Sequence, residues 1–169
     1  MRALGAEADA DVRVYLTGGA TAVLHGWRES TIDIDIKIVP DADAVFRAIP
    51  ALKERLRLNV ELAAPDDFIP VREGWEDRSP FIAREGRVSF HHFDLYAQAL
   101  AKIERGHAQD ALDVRELLAR RLVERPQLVA YFEAIEPRLY RYPAIDPASF
   151  RQAVADAVRA DPCGGFPQV

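Results

Sequence analysis

The sequence predicts an α/β (α+β) chain: a small mixed β-sheet flanked by helices, with a helical C-terminal half. Three observations predict it. Short apolar and β-branched runs alternate with helical stretches up to about residue 93. From Asp94 onward the periodicity is helical throughout. The 169 residues are 49% hydrophobic and 29% charged, the balance of a globular chain with a core of its own.

In chain order, Val12–Thr17 reads as a strand ending at Gly18-Gly19. Ala20–His25 suits a short helix closed by Gly26. Thr31–Val39 alternates without a break. Thr31, Asp33, Asp35 and Lys37 fall on one side; Ile32, Ile34, Ile36 and Ile38 fall on the other. That period of two marks a strand with one buried face. Pro40 ends it, and Asp41 or Asp43 caps a helix to about Arg55. Leu56–Leu62 is a third strand, with Leu58 and Val60 on one side and Asn59 and Glu61 on the other. Residues 66–77 read as irregular. Phe81–Arg84 and Val88–His91 form a hairpin around Glu85-Gly86. Helices follow over about 94–104, 108–124, 128–139 and 147–159. The expected organisation is one compact domain, with a core over 1–93, a helical part over 94–160 and a tail over 161–169.

Net charge is −5 and pI about 5.4, which argues against a general binder of nucleic-acid backbones. A single cysteine, Cys163, excludes an internal disulfide and any zinc site of two or four cysteines. The first fourteen residues carry Glu7, Asp9 and Asp11 without an apolar run, so neither a signal peptide nor a membrane span is expected there. These features point to a cytoplasmic protein.

The chemistry centres on Asp33 and Asp35. Two positions apart on a strand, their side chains leave the same face about 7 Å apart. Like charges so placed repel, and a divalent cation turns the repulsion into attraction. Mg²⁺ takes carboxylate oxygens, usually one or two, and completes its shell with substrate phosphates. Gly18-Gly19 sits at a strand-to-helix junction, where paired glycines let a phosphate approach main-chain N–H groups.

This arrangement resembles the nucleotidyltransferase superfamily that includes the polymerase β-like minimal nucleotidyltransferases. The residues that carry the resemblance are Leu16-Thr17-Gly18-Gly19, the helix through His25, Gly26-Trp27-Arg28, Thr31 and Ile32-Asp33-Ile34-Asp35-Ile36. The resemblance implies nucleotide binding by Gly18, Gly19, Arg28 and Thr31, with Mg²⁺ or Mn²⁺ on Asp33 and Asp35. It also implies a third carboxylate on the next strand. Glu61 fits that place, as ligand of a second metal ion or as base, in a position where the family often carries Asp.

A second stretch, Lys102 through Asp110 to Asp113-Val114, is similar to a motif of the abortive-infection and toxin–antitoxin branch. There the resemblance implies a triphosphate contact for Lys102 and an orienting role for Asp110, with Gln109 standing where the branch has Arg. The implied activity is transfer of a nucleoside monophosphate from an NTP to a protein or RNA acceptor. A toxin or antitoxin would be the protein partner, and tRNA a less favoured acceptor. Two other readings stand beside it. One is a small-molecule nucleotidyltransferase of the aminoglycoside-modifying kind, for which Asp66 and Asp67 are the available substrate acids. The other is a non-catalytic nucleotide-binding relative.

Other residues read more plainly. His91 and His92 point to opposite faces of a strand and do not share an ion. Trp27 reads as a packing residue; Trp75, in a loop, could either pack or stack on a base. Arg115, Arg120, Arg121 and Arg125, interleaved with Glu116 and Glu124, form a solvated or partner-facing helix side.

Overall fold

The computed structural model describes residues 1–160; Cys163 and the tail expected over 161–169 lie outside the described residues. Two compact units make up the chain. The first is Met1–Asp67 with Gly74–Asp94, and the second is Phe68–Glu73 with the chain from Leu95 on. No helix among the described residues is long and apolar enough to cross a membrane.

The first unit is built on a five-stranded mixed sheet. Its strands are β1 (Val12–Thr17), β2 (Asp33–Val39), β3 (Asn59–Glu61), β4 (Phe81–Glu85) and β5 (Val88–His92). They lie in the order β3-β2-β1-β5-β4. β1 runs antiparallel to β2 and parallel to β5, while β2 and β3 are parallel. Helices α1 (Arg2–Gly5), α2 (Gly18–Leu24) and α3 (Asp43–Leu56) complete the unit.

The alternation of β2 decides which face is which. Ile36 and Ile38 are buried with Val12, Val14, Leu16, Val88 and Phe90, in a core that also takes Val45 and Ile49 of α3. The other face carries Asp33, Asp35 and Lys37 on β2, with Tyr15 and Thr17 on β1. Towards its middle this second face is also closed. Tyr15 is buried against Trp75, Phe93 and His91, with ring centroids 4.7, 6.2 and 5.5 Å away. Trp75, which the sequence leaves open between packing and base stacking, is therefore a packing residue.

Several boundaries differ from the sequence reading for local reasons. β2 starts at Asp33 because the Thr31 hydroxyl donates to the Asp33 carbonyl (2.9 Å) and accepts from the Asp33 N–H (3.3 Å). This side-chain turn replaces strand geometry before Asp33 and leaves Ile32 70% exposed. α2 begins at Gly18, directly after β1. α3 is preceded by Ala42, with no side-chain cap, so Asp43 lies in the first turn rather than at the cap. β3 is only three residues long because Arg57 turns left-handed (φ 53°) and the Leu58 N–H closes α3 on Lys53. The hairpin around Gly86 is present as expected.

The second unit holds α4 (Leu95–Arg105), α5 (Ala108–Ala119), α6 (Arg125–Ile135) and α7 (Pro147–Arg159). α5 stops five residues short of the expected end. Arg121 adopts φ 57°, and the N–H groups of Leu122 and Val123 fold back on the Leu117 carbonyl.

His92 ties β5 to α2. It is buried, its Nδ1 is 3.1 Å from the Thr21 hydroxyl, and its ring stacks on His25 at 4.4 Å. Burial, and then the neighbouring His25, lower its pKa from 6.5 to about 4. The folded state therefore holds His92 neutral over a range in which the unfolded chain protonates it. This contribution to stability is complete above pH 6.5 and lost as pH falls towards 4. The interval corresponds to about 3 kcal/mol. In urea titrations between pH 7 and 4, His92→Leu should show a shallower loss of stability than the natural chain. Parallel pH profiles would contradict the assignment.

Candidate functional site

The site forms where β1 ends and β2 begins. Antiparallel register pairs Thr17 with Asp35, and parallel register pairs Asp35 with Glu61 and Asp33 with Asn59. Asp35 thus stands between Thr17 and Glu61 on the neighbouring strands. Past Thr17 the chain turns through Gly18 at φ +59°. A Cβ placed there would lie 2.6 Å from Asp35 Oδ2, so both the backbone angle and the carboxylate exclude a side chain. A Cβ on Gly19 would lie 2.6 Å from Thr31 Oγ1 and 3.5 Å from an Arg28 guanidinium nitrogen. The fold therefore brings Gly18, Gly19, Arg28, Thr31, Asp33, Asp35 and Glu61 to one end of one sheet face.

Asn59 knits the acids together. Its amide nitrogen donates to Asp33 Oδ1 (3.1 Å) and to Glu61 Oε1 (2.8 Å). Asp33 and Glu61 are exposed and Asp35 is half-buried. Among the described residues no three His, Cys, Asp or Glu side chains are grouped to hold one ion. Asp33 and Asp35 are a pair of carboxylates on one face of β2, and Asp35 lies against the Gly18 turn, which has no room for a Cβ. That donor set fits Mg²⁺, which needs only one or two protein carboxylates when phosphates complete its shell. Glu61 stands in register with Asp35 and, like Asp33, accepts from Asn59. The opposite sheet face borders an apolar cavity of about 410 Å³, lined in part by Val14, Leu16, Ile34, Ile36 and Phe90. It has none of these carboxylates.

Residues 1–145 match the family described as a nucleotidyltransferase of unknown function, DUF6036. The chain belongs to that family. No curated protein and no solved structure matches it. The family's stated class agrees with the resemblance carried by the Gly-Gly turn and the two aspartates.

In this member of the nucleotidyltransferase family, Lys102 and Asp110 belong to the second unit. The ammonium of Lys102 is 8% exposed, 2.6 Å from Asp113 Oδ2 and 3.2 Å from Asp110 Oδ1. Arg105 grips Asp110 through Nε (2.8 Å) and Nη2 (2.6 Å). Burial alone would raise the pKa of Asp110, but the Arg105 hydrogen bond and the charges of Lys102 and Arg105 bring it below the usual 3.8. The motif Lys102…Asp110…Asp113 thus builds a buried ion-pair network joining α4 to α5. Elsewhere in the first unit, Lys37 pairs with Asp66 (2.6 Å), and Arg78 with the buried Asp94 (2.8 Å). The sequence reading missed both pairs, and it left Asn59 without a role. The alternation of β3 could have found Asn59, since it places that residue beside Glu61.

Two outcomes follow. Gly18→Ala should destabilise by about 1–3 kcal/mol through its left-handed backbone and the contact with Asp35. Gly26→Ala should cost less, because Gly26 has φ +80° but nothing within 4 Å of its Cβ position. Equal midpoints in urea would contradict the crowding at Gly18. For Lys102→Ala, loss of the buried cation from between two carboxylates should cost about 3–5 kcal/mol. A variant with unchanged unfolding but weakened NTP binding would instead put Lys102 on a phosphate.

Proposed function

We propose that the first unit binds an NTP with Mg²⁺ or Mn²⁺ and transfers its nucleoside monophosphate to a protein or RNA acceptor. The observation that carries this reading is the register setting Asp33 and Asp35 beside the Gly18-Gly19 turn, in a chain of a nucleotidyltransferase family. When bound, the ion neutralises charge on the triphosphate and on the pyrophosphate that leaves.

The protein's own groups divide the remaining work. Asp33 and Asp35 would hold the ion. The strand-to-helix junction at Gly18 and Gly19 would take phosphate oxygens, and the Arg28 guanidinium beside Gly19 would add positive charge there. Thr31 fixes the backbone of Asp33 through its two hydrogen bonds. Glu61, opposite Asp35, would take the proton of the acceptor hydroxyl or hold a second ion. Lys102 and Asp110 are read here as the clamp between α4 and α5.

The acidic balance of −5 favours a protein acceptor, such as a toxin or antitoxin partner, over tRNA. The acids that a small-molecule activity would use are already engaged: Asp66 binds Lys37, and Asp67 accepts from the Ala64 N–H at 2.8 Å.

The direct test is calorimetry with each NTP in Mg²⁺, followed by a search for labelled nucleotide on the protein or on added RNA. Asp33→Ala and Asp35→Ala should each lower affinity at least tenfold while circular dichroism stays native. Unchanged affinity in both folded variants would refute the site.

A further inference from the structure

We infer that the apolar cavity on the sheet face opposite the aspartates binds a small molecule with an aliphatic body and an ammonium head. The site is separate from the carboxylate face and does not depend on the nucleotide-binding reading above.

The cavity holds about 410 Å³ and lies wholly within the first unit. Leu16, Ile36 and Phe90 line it and are buried, whereas Leu24 and Leu56 line it and are 45% and 47% exposed. Apolar surface therefore runs from solvent down to the central strands of the sheet. Exposed apolar surface that leads into a cavity marks a ligand site more often than a free surface. Water gains little in it, because a buried water needs two to four polar partners. The polar residues of the lining are confined to one stretch, Glu29-Ser30-Thr31.

Size and charge define the occupant. One 5.4 Å turn of an α-helix about 10 Å across already takes up about 420 Å³. A partner helix therefore does not enter, while a small molecule fits. The Thr31 hydroxyl is engaged with the Asp33 backbone, donating at 2.9 Å and accepting at 3.3 Å. Glu29 is exposed and forms no ion pair among the described residues. No basic side chain among those residues lines the cavity. A carboxylate beside an apolar floor, with no cation to balance it, disfavours a fatty acid and favours an alkylammonium. Its N–H groups would donate to Glu29 at the solvent edge while its chain covers the apolar floor.

The test is calorimetry of the full chain with hexylammonium, octylammonium, octanol and octanoate, with nuclear Overhauser contacts to locate the bound chain. Octylammonium should bind about threefold or more tightly than octanol, and octanoate more weakly than either. Affinity should rise about fourfold per methylene from hexylammonium to octylammonium. The octyl methylenes should show contacts to Leu16 and Phe90. Glu29→Gln should remove the preference for octylammonium over octanol and leave octanol binding unchanged. Leu24→Trp, which fills the half-exposed mouth, should weaken all three octyl compounds at least tenfold. If Leu24→Trp does not fold, the chain-length series and Glu29→Gln still decide. Overhauser contacts confined to other residues, no gain with chain length, or octanoate binding as tightly as octylammonium would overturn the inference. So would sedimentation of a dimer that Leu24→Asp dissociates, since the mouth would then belong to a second copy of the chain.

Discussion

Placing Asp33 and Asp35 on one face of β2 is the constraint on which the first unit depends. The same period of two that sends Ile34, Ile36 and Ile38 into the core sends the aspartates the other way. Neither set can move without the other, because a slip of one residue would bury the acids and expose the isoleucines. The pairing of Thr17 with Asp35 then fixes where β1 must stop and turn. That turn has no room for a side chain, so Gly18 follows from the position of a carboxylate and not only from the need to change direction. Core packing and site geometry are two outcomes of a single strand register.

The second unit solves a different problem with similar residues. Lys102, Asp110 and Asp113 are buried charges, tolerated because each faces an opposite charge at hydrogen-bond distance. The first site contains acids near each other, partly exposed, with one amide donating to Asp33 and Glu61. Burial separates the two cases. Charges taken out of water must be neutralised within the fold, whereas exposed charges can wait for a ligand. On this ground the Lys102 motif is read as architecture and the Asp33–Asp35 strand as the place for chemistry.

Much of this was legible in the sequence because it depends on short-range periodicity. β1, the hairpin at Gly86 and α7 lie where alternation and turn residues place them. The grouping of Gly18, Gly19, Arg28, Thr31, Asp33 and Asp35 could be anticipated because these residues lie within a span of eighteen positions. What was not legible depends on side chains meeting across the fold. The Thr31 turn that delays β2 competes with the strand ladder through one hydroxyl, which no periodicity records. Lys37 meets Asp66 across 29 positions. Asn59 meets Asp33 across 26. The early end of α5 turns on Arg121 adopting a left-handed backbone, a conformation that its residue type does not announce. The Lys102 motif was visible, but whether its charges would be buried was not.

The central claim is that a divalent ion and a triphosphate meet at the Asp33–Asp35 end of the sheet. Paramagnetic broadening in amide NMR spectra tests it most directly. Substoichiometric Mn²⁺ with a non-hydrolysable NTP analogue should broaden the signals of Gly18, Gly19, Asp33, Ile34 and Asp35 first, leaving those of Val39, Gly86 and Arg87 sharp. Broadening centred elsewhere, or spread evenly over the acidic surface, would contradict it.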